Sequence, residues 1–218
     1  LRRSLVHFEA PPSGQVMQEM ESFLQWFQDT APGGSYPLPA LTRAAIAHLY
    51  FVCIHPLEDG NGRIGRAIAE KALAQSFGQP TLIALSHTIQ KHKKAYYDAL
   101  EHNNKGIDIT DWLVYFSKTI LQAQLRTQNM INFVIEKSKL YYRSRGLLND
   151  RQEKLLTRMF REGPDGFTGG LSVKNYLSIT GASRATATRD LQDLVEKNIL
   201  TRTGELKSTR YHLNIETE

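Results

Sequence analysis

Cysteine is nearly absent from this 218-residue chain. Cys53 stands alone, so no disulfide closes within one chain and no cysteine-rich zinc site can form. A reducing, cytoplasmic setting is the expectation. Long apolar runs are missing as well. None approaches the roughly 18 residues of a membrane span, and no membrane partner is expected. Leu1-Arg2-Arg3-Ser4 has no apolar centre of the kind a signal peptide carries, and the chain, which does not start with Met, reads as a piece of a longer protein. Charge of one sign is not in large excess: the net charge is +5 and the pI about 9.3. That balance is compatible with nucleotide phosphates or nucleic acid and requires neither. The remaining composition, 41% hydrophobic and 22% charged, is that of an ordinary globular chain. The length suits one medium domain and a small one.

Against this plain background one stretch concentrates chemistry: His55-Pro56-Leu57-Glu58-Asp59-Gly60-Asn61-Gly62-Arg63-Ile64-Gly65-Arg66. An apolar run over residues 44–54 precedes it and reads as a buried helix; a second helix is predicted over 64–77. Gly60-Asn61-Gly62 is a turn whose backbone N–H groups are unshielded by side chains, and the helix behind it aims its positive end at the same place. An anion belongs there. Arg63 and Arg66 share a helix face and can both reach it. Asp59 can hold a divalent cation on phosphates, and His55 is the residue type suited to accepting a proton near neutral pH. No Gly-Lys-Ser/Thr follows, so this is not a P-loop.

These residues resemble the signature of the Fic/Doc family, His-Pro-Phe-x-(Asp/Glu)-Gly-Asn-Gly-Arg-x-x-Arg. The one departure is Leu57 in place of Phe, an apolar exchange expected to pack under the loop. The resemblance implies a helical bundle with a small β-flap. It also implies an activity: transfer of AMP from ATP to a Ser, Thr or Tyr hydroxyl of a protein, this chain itself included. His55 would be the base. Gly60, Asn61 and Gly62 would hold the α-phosphate, Arg63 the β-phosphate and Arg66 the γ-phosphate. Asp59 would bind Mg²⁺. Leu5, Val6 and His7 resemble the second strand of the flap. Tyr96, Tyr97 and Asn104 echo positions that contact adenosine. The family also moves other phosphate-containing groups, or removes AMP; phosphorylating members depart from the pattern at the position of Gly62, which is glycine here. A Ser/Thr-x-x-x-Glu-Gly/Asn inhibitory segment, whose Glu would pair with Arg66, is not found in these 218 residues.

Along the chain, Val16, Met20, Phe23 and Phe27 make one stripe of a core helix predicted over 15–28 with Ser13 as its cap. Pro39 starts the next helix, whose Ala44, Ala45 and Ala47 permit close packing. Gly78-Gln79-Pro80 stops the motif helix. A helix from Ser86 or His87 runs through Asn103. A long one over 112–142 shifts its apolar phase partway, which predicts a bend or a break near 127–129. Arg143-Ser144-Arg145-Gly146 reads as a linker. Beyond it, a helix over 152–161, a short helix capped by Ser172, a tight turn at Gly181, an amphipathic helix and two alternating runs around Gly204 resemble a winged helix-turn-helix. The fold class expected is therefore mainly α: a Fic-type bundle over 1–145, then an α+β winged helix-turn-helix domain over 146–218. As a DNA binder it would use Ser183, Arg184, Thr186 and Arg189 in the groove and Lys207 and Arg210 in the wing. Yet from Leu148 onward 11 basic residues face 10 acidic ones, a weak electrostatic footprint. Docking to a protein partner, or to a second copy of the chain, is the other use of such a helix. The rival function is a DNA-binding regulator with a vestigial Fic domain.

Overall fold

A computed structural model describes residues 10–104 and 106–215. They fold as two compact units, Leu1–Thr127 and Gln128–Glu218. The expected flap residues Leu5, Val6 and His7 lie outside the described residues.

In the first unit, a short 3-10 turn (Ser13–Gln15) leads into α1 (Val16–Asp29). Ser13 opens that turn and does not cap α1, whose N-cap Gln15 makes no side-chain bond. The apolar stripe is nevertheless the buried one: Val16, Met20, Phe23 and Phe27 pack with Phe51 and Ile54 of α2 (Ala40–Ile54). Pro39 precedes α2 and leaves its N1 position to Ala40. Arg43 of α2 is fully buried. Its donors reach the Phe27 and Ala72 carbonyls, Gln75 and Thr30, and its guanidinium lies over the Phe27 ring. One side chain thus ties α1 and α2 to α3 (Asn61–Phe77).

α3 begins earlier than the sequence suggests, at Asn61 and not Ile64, with Gly60 as N-cap at φ 92°. Gly78, at φ 68°, ends it. The single helix expected through Asn103 is two, α4 (Leu85–Lys91) and α5 (Lys93–Asn103), because His92 leaves helical geometry at φ −116°, ψ 35°. α6 (Thr110–Ser144) is unbroken over 35 residues. The phase shift in its sequence has another cause. Trp112, Phe116, Ile120 and Ala123 enter the core of the first unit, whereas Phe133 and Leu140 enter that of the second.

In the second unit, Asn149 caps α7 (Asp150–Arg161) through a capping box with Gln152. Ser172 caps α8 (Val173–Thr180) in the same way, as expected. Gly181 (φ 71°) makes the turn, and Ser183 caps α9 (Arg184–Glu196). β1 (Leu200–Thr203) pairs antiparallel with β2 (Arg210–Leu213), Leu200 opposite Leu213, and Leu171 bridges to Tyr211 on the other side of β2. The stretch read as a linker is helical through Ser144, and Arg143 donates to the Asn198 and Asn214 carbonyls at the base of the hairpin.

Candidate active site

The motif residues come together between α2 and α3. α2 ends at Ile54, and His55 takes the left-handed conformation, φ 52°, ψ 51°, with its N–H donating to the Phe51 carbonyl at 3.2 Å. This is a helix C-terminus in the position glycine usually fills. The histidine at this turn is exposed.

The loop that follows is pinned from within. Asn61 is 4% exposed, and its amide brackets the Leu57 peptide: Oδ1 accepts from Leu57 N–H at 3.1 Å and Nδ2 donates to Leu57 O at 2.6 Å. Asn61 therefore spends its side chain on the loop, where the sequence reading placed it on phosphate. The Leu57 side chain stays 39% exposed and does not tuck beneath the loop as expected. Asp59 Oδ1 accepts the Gly60 N–H at 2.7 Å. That removes Gly60 from the set of open donors and moves the cradle one residue on. The N–H groups of Asn61, Gly62 and Arg63 are the first-turn donors that an α-helix leaves unpaired.

Both arginines fold back over this turn. A Cβ added at Gly60 would stand 3.5 Å from Arg63 Nη2, and one at Gly62 would stand 3.4 Å from Arg66 Nη1. Their partners differ. Arg63 Nη2 pairs with Asp59 Oδ2 at 3.0 Å, both side chains largely in solvent. Such a pair is worth about 0–1 kcal/mol and opens at little cost. Arg66 is half-buried and donates from Nε to Ser86 Oγ of α4 at 2.9 Å. Glu70, one turn further along α3, has its carboxyl raised by burial, against an opposing pull from Arg66.

Beneath this turn lies an aromatic layer that the motif does not announce. His48 is fully buried, stacked on Phe116 (4.7 Å) and Trp112 (5.7 Å), with Nε2 2.8 Å from Tyr96 Oη. Burial pushes its imidazole down to about 4, and the Arg66 charge acts in the same direction, so the ring is neutral at pH 7. Its Nδ1 abuts Gly65 without a hydrogen bond of good geometry. A Cβ at Gly65 would stand 3.1 Å from that nitrogen and 3.0 Å from Val52 Cγ2, so glycine is what lets α3 approach α2. Tyr96 is 4% exposed, and its hydroxyl is bound to His48, which makes it a core residue. Tyr97 is 56% exposed and edge-on to Tyr96. Asn104 follows α5 with a buried Oδ1 that has no partner. Position 65 was quoted in the motif only as a variable residue, and His48 carries no local signal at all.

The family model described as Fic/DOC family matches residues 2–73. This stretch is similar to a Fic/DOC family domain. Protein adenylyltransferase fic-1 of Caenorhabditis elegans is 28% identical over 47% of this chain and 18% of its own length. Protein adenylyltransferase Fic of Aedes aegypti is 34% identical over 48% of this chain and 20% of its own. The chain thus spans about a fifth of these relatives. A crystal structure of a Fic family protein from Desulfovibrio desulfuricans G20 aligns over 94% of this chain and 56% of its own, at 21% identity and a TM-score of 0.46.

The remaining candidates lie in the second unit. Arg184 and Arg189 are exposed on α9, and Lys207 is exposed beyond Gly204. Ser183 Oγ is engaged with Thr186 N–H and Thr186 Oγ1, and Arg210 Nη1 binds the Lys207 and Thr209 carbonyls. So Arg184, Arg189 and Lys207 keep their polar ends for a partner better than the other three. α9 is anchored by Asp190, which accepts from Arg151 Nε and Nη2, Tyr176 Oη and Asn149 Nδ2. Among the described residues no helix is long and apolar enough to cross a membrane.

Proposed function

We propose that the Fic/DOC-like domain transfers AMP from ATP to a Ser, Thr or Tyr hydroxyl of a protein. One observation carries the reading: the open N–H groups of α3 and the guanidinium groups of Arg63 and Arg66 meet at the turn at residues 60–62, with an exposed histidine closing the helix that leads into it. The names of the relatives point the same way. In the reaction, the hydroxyl oxygen attacks the α-phosphorus as His55 takes its proton. The bond from the α-phosphorus to the bridging oxygen breaks, and pyrophosphate leaves. The N–H groups of Asn61, Gly62 and Arg63 stabilise the charge that builds on the α-phosphate, and Arg63 and Arg66 hold the outer phosphates. Asn61 contributes by keeping the loop in shape. The residues present fit Mg²⁺: Asp59 offers one exposed carboxylate beside the phosphates, and this ion is commonly held by one or two carboxylates plus substrate oxygens and water. No group of three His, Cys, Asp or Glu suited to a metal occurs among the described residues. When bound, Mg²⁺ would neutralise charge between phosphates. Asp59 exchanging Arg63 for the ion would free Arg63 for phosphate, at the small cost of a surface pair.

The test is incubation with Mg²⁺ and ATP labelled on the α-phosphate, with a panel of candidate protein acceptors, followed by intact mass spectrometry. Gain of one adenylyl group by wild type, and a loss of about 10²–10⁴-fold in rate for His55→Ala, is the expected result. Gain of one phosphoryl mass without the α-label would make the domain a kinase. ATP bound without any transfer would favour the regulatory reading.

For the second unit we propose a winged helix-turn-helix, with α9 presenting Arg184 and Arg189 and the hairpin presenting Lys207. The turn at Gly181 between two capped helices supports it, as does the hairpin bridged to Leu171. Salt-dependent binding of a DNA duplex that weakens in Arg189→Ala is the expected result; retention of full affinity would point to protein docking.

A further inference from the structure

We infer that Ser86 is a positioning residue for Arg66 and thereby sets preference for a polyphosphate chain over a single phosphate. The inference rests on the phosphate reading of the turn. The two arginines are built differently. Arg63 faces a carboxylate that cancels its charge until another cation takes its place. Arg66 is held by a neutral hydroxyl, which fixes the side chain, while the Glu70 carboxyl acts on it from one turn further along α3 and forms no direct ion pair with it among the described residues.

The point of attachment matters. Ser86 Oγ holds Nε at 2.9 Å, which orients the guanidinium plane and leaves both terminal nitrogens open. Nη1 lies 3.4 Å from the place a Cβ on Gly62 would occupy, so the open end reaches back along α3 to its first turn. A guanidinium attached by Nε can receive phosphoryl oxygens end-on through Nη1 and Nη2. The turn itself receives the first phosphate. Arg66 is thus placed to catch a phosphate further along the chain, and a monophosphate ends before it. Ser86 is in the first turn of α4 and is exposed, so its hydroxyl has no packing duty that would by itself explain serine there. Arg66 is half-buried beside the His48–Tyr96 layer: its charge adds to the fall that burial gives His48 and opposes the rise that burial gives Tyr96.

The experiment compares wild type, Ser86→Ala and Ser86→Thr in the full chain. Calorimetry measures binding of MgATP, AMP and inorganic tripolyphosphate. NMR follows the Arg66 Nε–Hε signal, assigned by its loss in Arg66→Lys. The expected result for Ser86→Ala is a shifted Arg66 signal and roughly tenfold weaker binding of ATP and tripolyphosphate, the scale of one hydrogen bond to a charged group. AMP affinity stays within about twofold, and Ser86→Thr restores the wild-type values. A purely structural role would weaken all three ligands together. Equal loss for AMP, unchanged tripolyphosphate binding in Ser86→Ala, or a threonine variant that behaves as the alanine does would each overturn the inference. Failure of the phosphate reading is seen separately, in a wild-type chain that binds neither ATP nor tripolyphosphate.

Discussion

Replacing Asn61 with alanine separates two jobs that its side chain could do. Its amide makes two bonds to one peptide, at 3.1 and 2.6 Å, from a position that is 4% exposed. Each bond contributes about 0.5–1.5 kcal/mol net, so the clamp holds the loop by about 1–3 kcal/mol. Local opening of the Leu57 N–H should become more frequent by the corresponding factor, roughly 5–150-fold. Hydrogen–deuterium exchange of the peptide covering residues 55–62, in the protein without nucleotide, reads this directly. Nucleotide affinity should fall in parallel, since the N–H groups of Asn61, Gly62 and Arg63 no longer converge when the loop is loose. Asn61→Asp should do no better: it keeps the acceptor for Leu57 N–H, loses the donor and sets a carboxylate against the Leu57 carbonyl. Exchange of Leu57 at the wild-type rate in Asn61→Ala would refute the clamp. A change confined to the nucleotide-bound protein would return Asn61 to the phosphate.

Two buried titrating groups make stability depend on pH in ways that can be assigned. His48 has a folded value of about 4 against an ordinary value of 6.5. Its contribution is present in full above pH 6.5 and is lost as pH falls from there towards 4, in total about 3 kcal/mol. Denaturant melts of the first unit's core should weaken across that window, and the His48 ring signals in NMR should not titrate between pH 8 and 5. The carboxyl of Asp190 is held below the usual carboxylate range by Arg151 first, and by Tyr176 and Asn149. Its contribution is present above the ordinary aspartate value near 3.9 and is lost as pH falls through the lower folded value. Asp190→Ala should destabilise the second unit by about 1–3 kcal/mol at pH 7, because it leaves the buried Tyr176 hydroxyl without its acceptor and unties Arg151 and Asn149 from α9; near-ultraviolet circular dichroism of the melt checks it.

The parts of the site that could be read from the sequence are those whose chemistry is contiguous. Residues 55–66 place base, carboxylate, turn and arginines side by side, and the stripe of α1 and the alternation of β1 and β2 are equally local. What could not be read is contact across the chain. Tyr96 looks like half of an adenosine-contacting pair until His48, 48 residues earlier, takes its hydroxyl. Gly65 looks like a variable position until α2 is laid against it. The start of α3 differs because two glycines read as loop, although Asn61 already sits in the helix and bonds back to the Leu57 peptide four residues earlier. The shift in phase along α6 was a true signal with the wrong cause: one uninterrupted helix supplies two separate cores.

His55 shows what the site costs the fold. It ends α2 at φ 52°, a conformation that costs a residue with a Cβ about 1–2 kcal/mol. Histidine tolerates the region better than most, but glycine would take it freely. The comparison that isolates the strain is His55→Gly against His55→Ala. Both lose the imidazole, and only glycine relieves the backbone. Glycine also gains about 0.4–1 kcal/mol more entropy in the unfolded chain, which offsets part of that relief. The net expectation is that His55→Gly is more stable than His55→Ala by about 1 kcal/mol, measured by chemical denaturation, while neither supports transfer. Equal stabilities, or alanine above glycine, would mean that residue 55 is unstrained and that α2 ends there for another reason. The expected order would mean that the first unit gives up stability at the one position where the proposed reaction needs a side chain and the turn favours none.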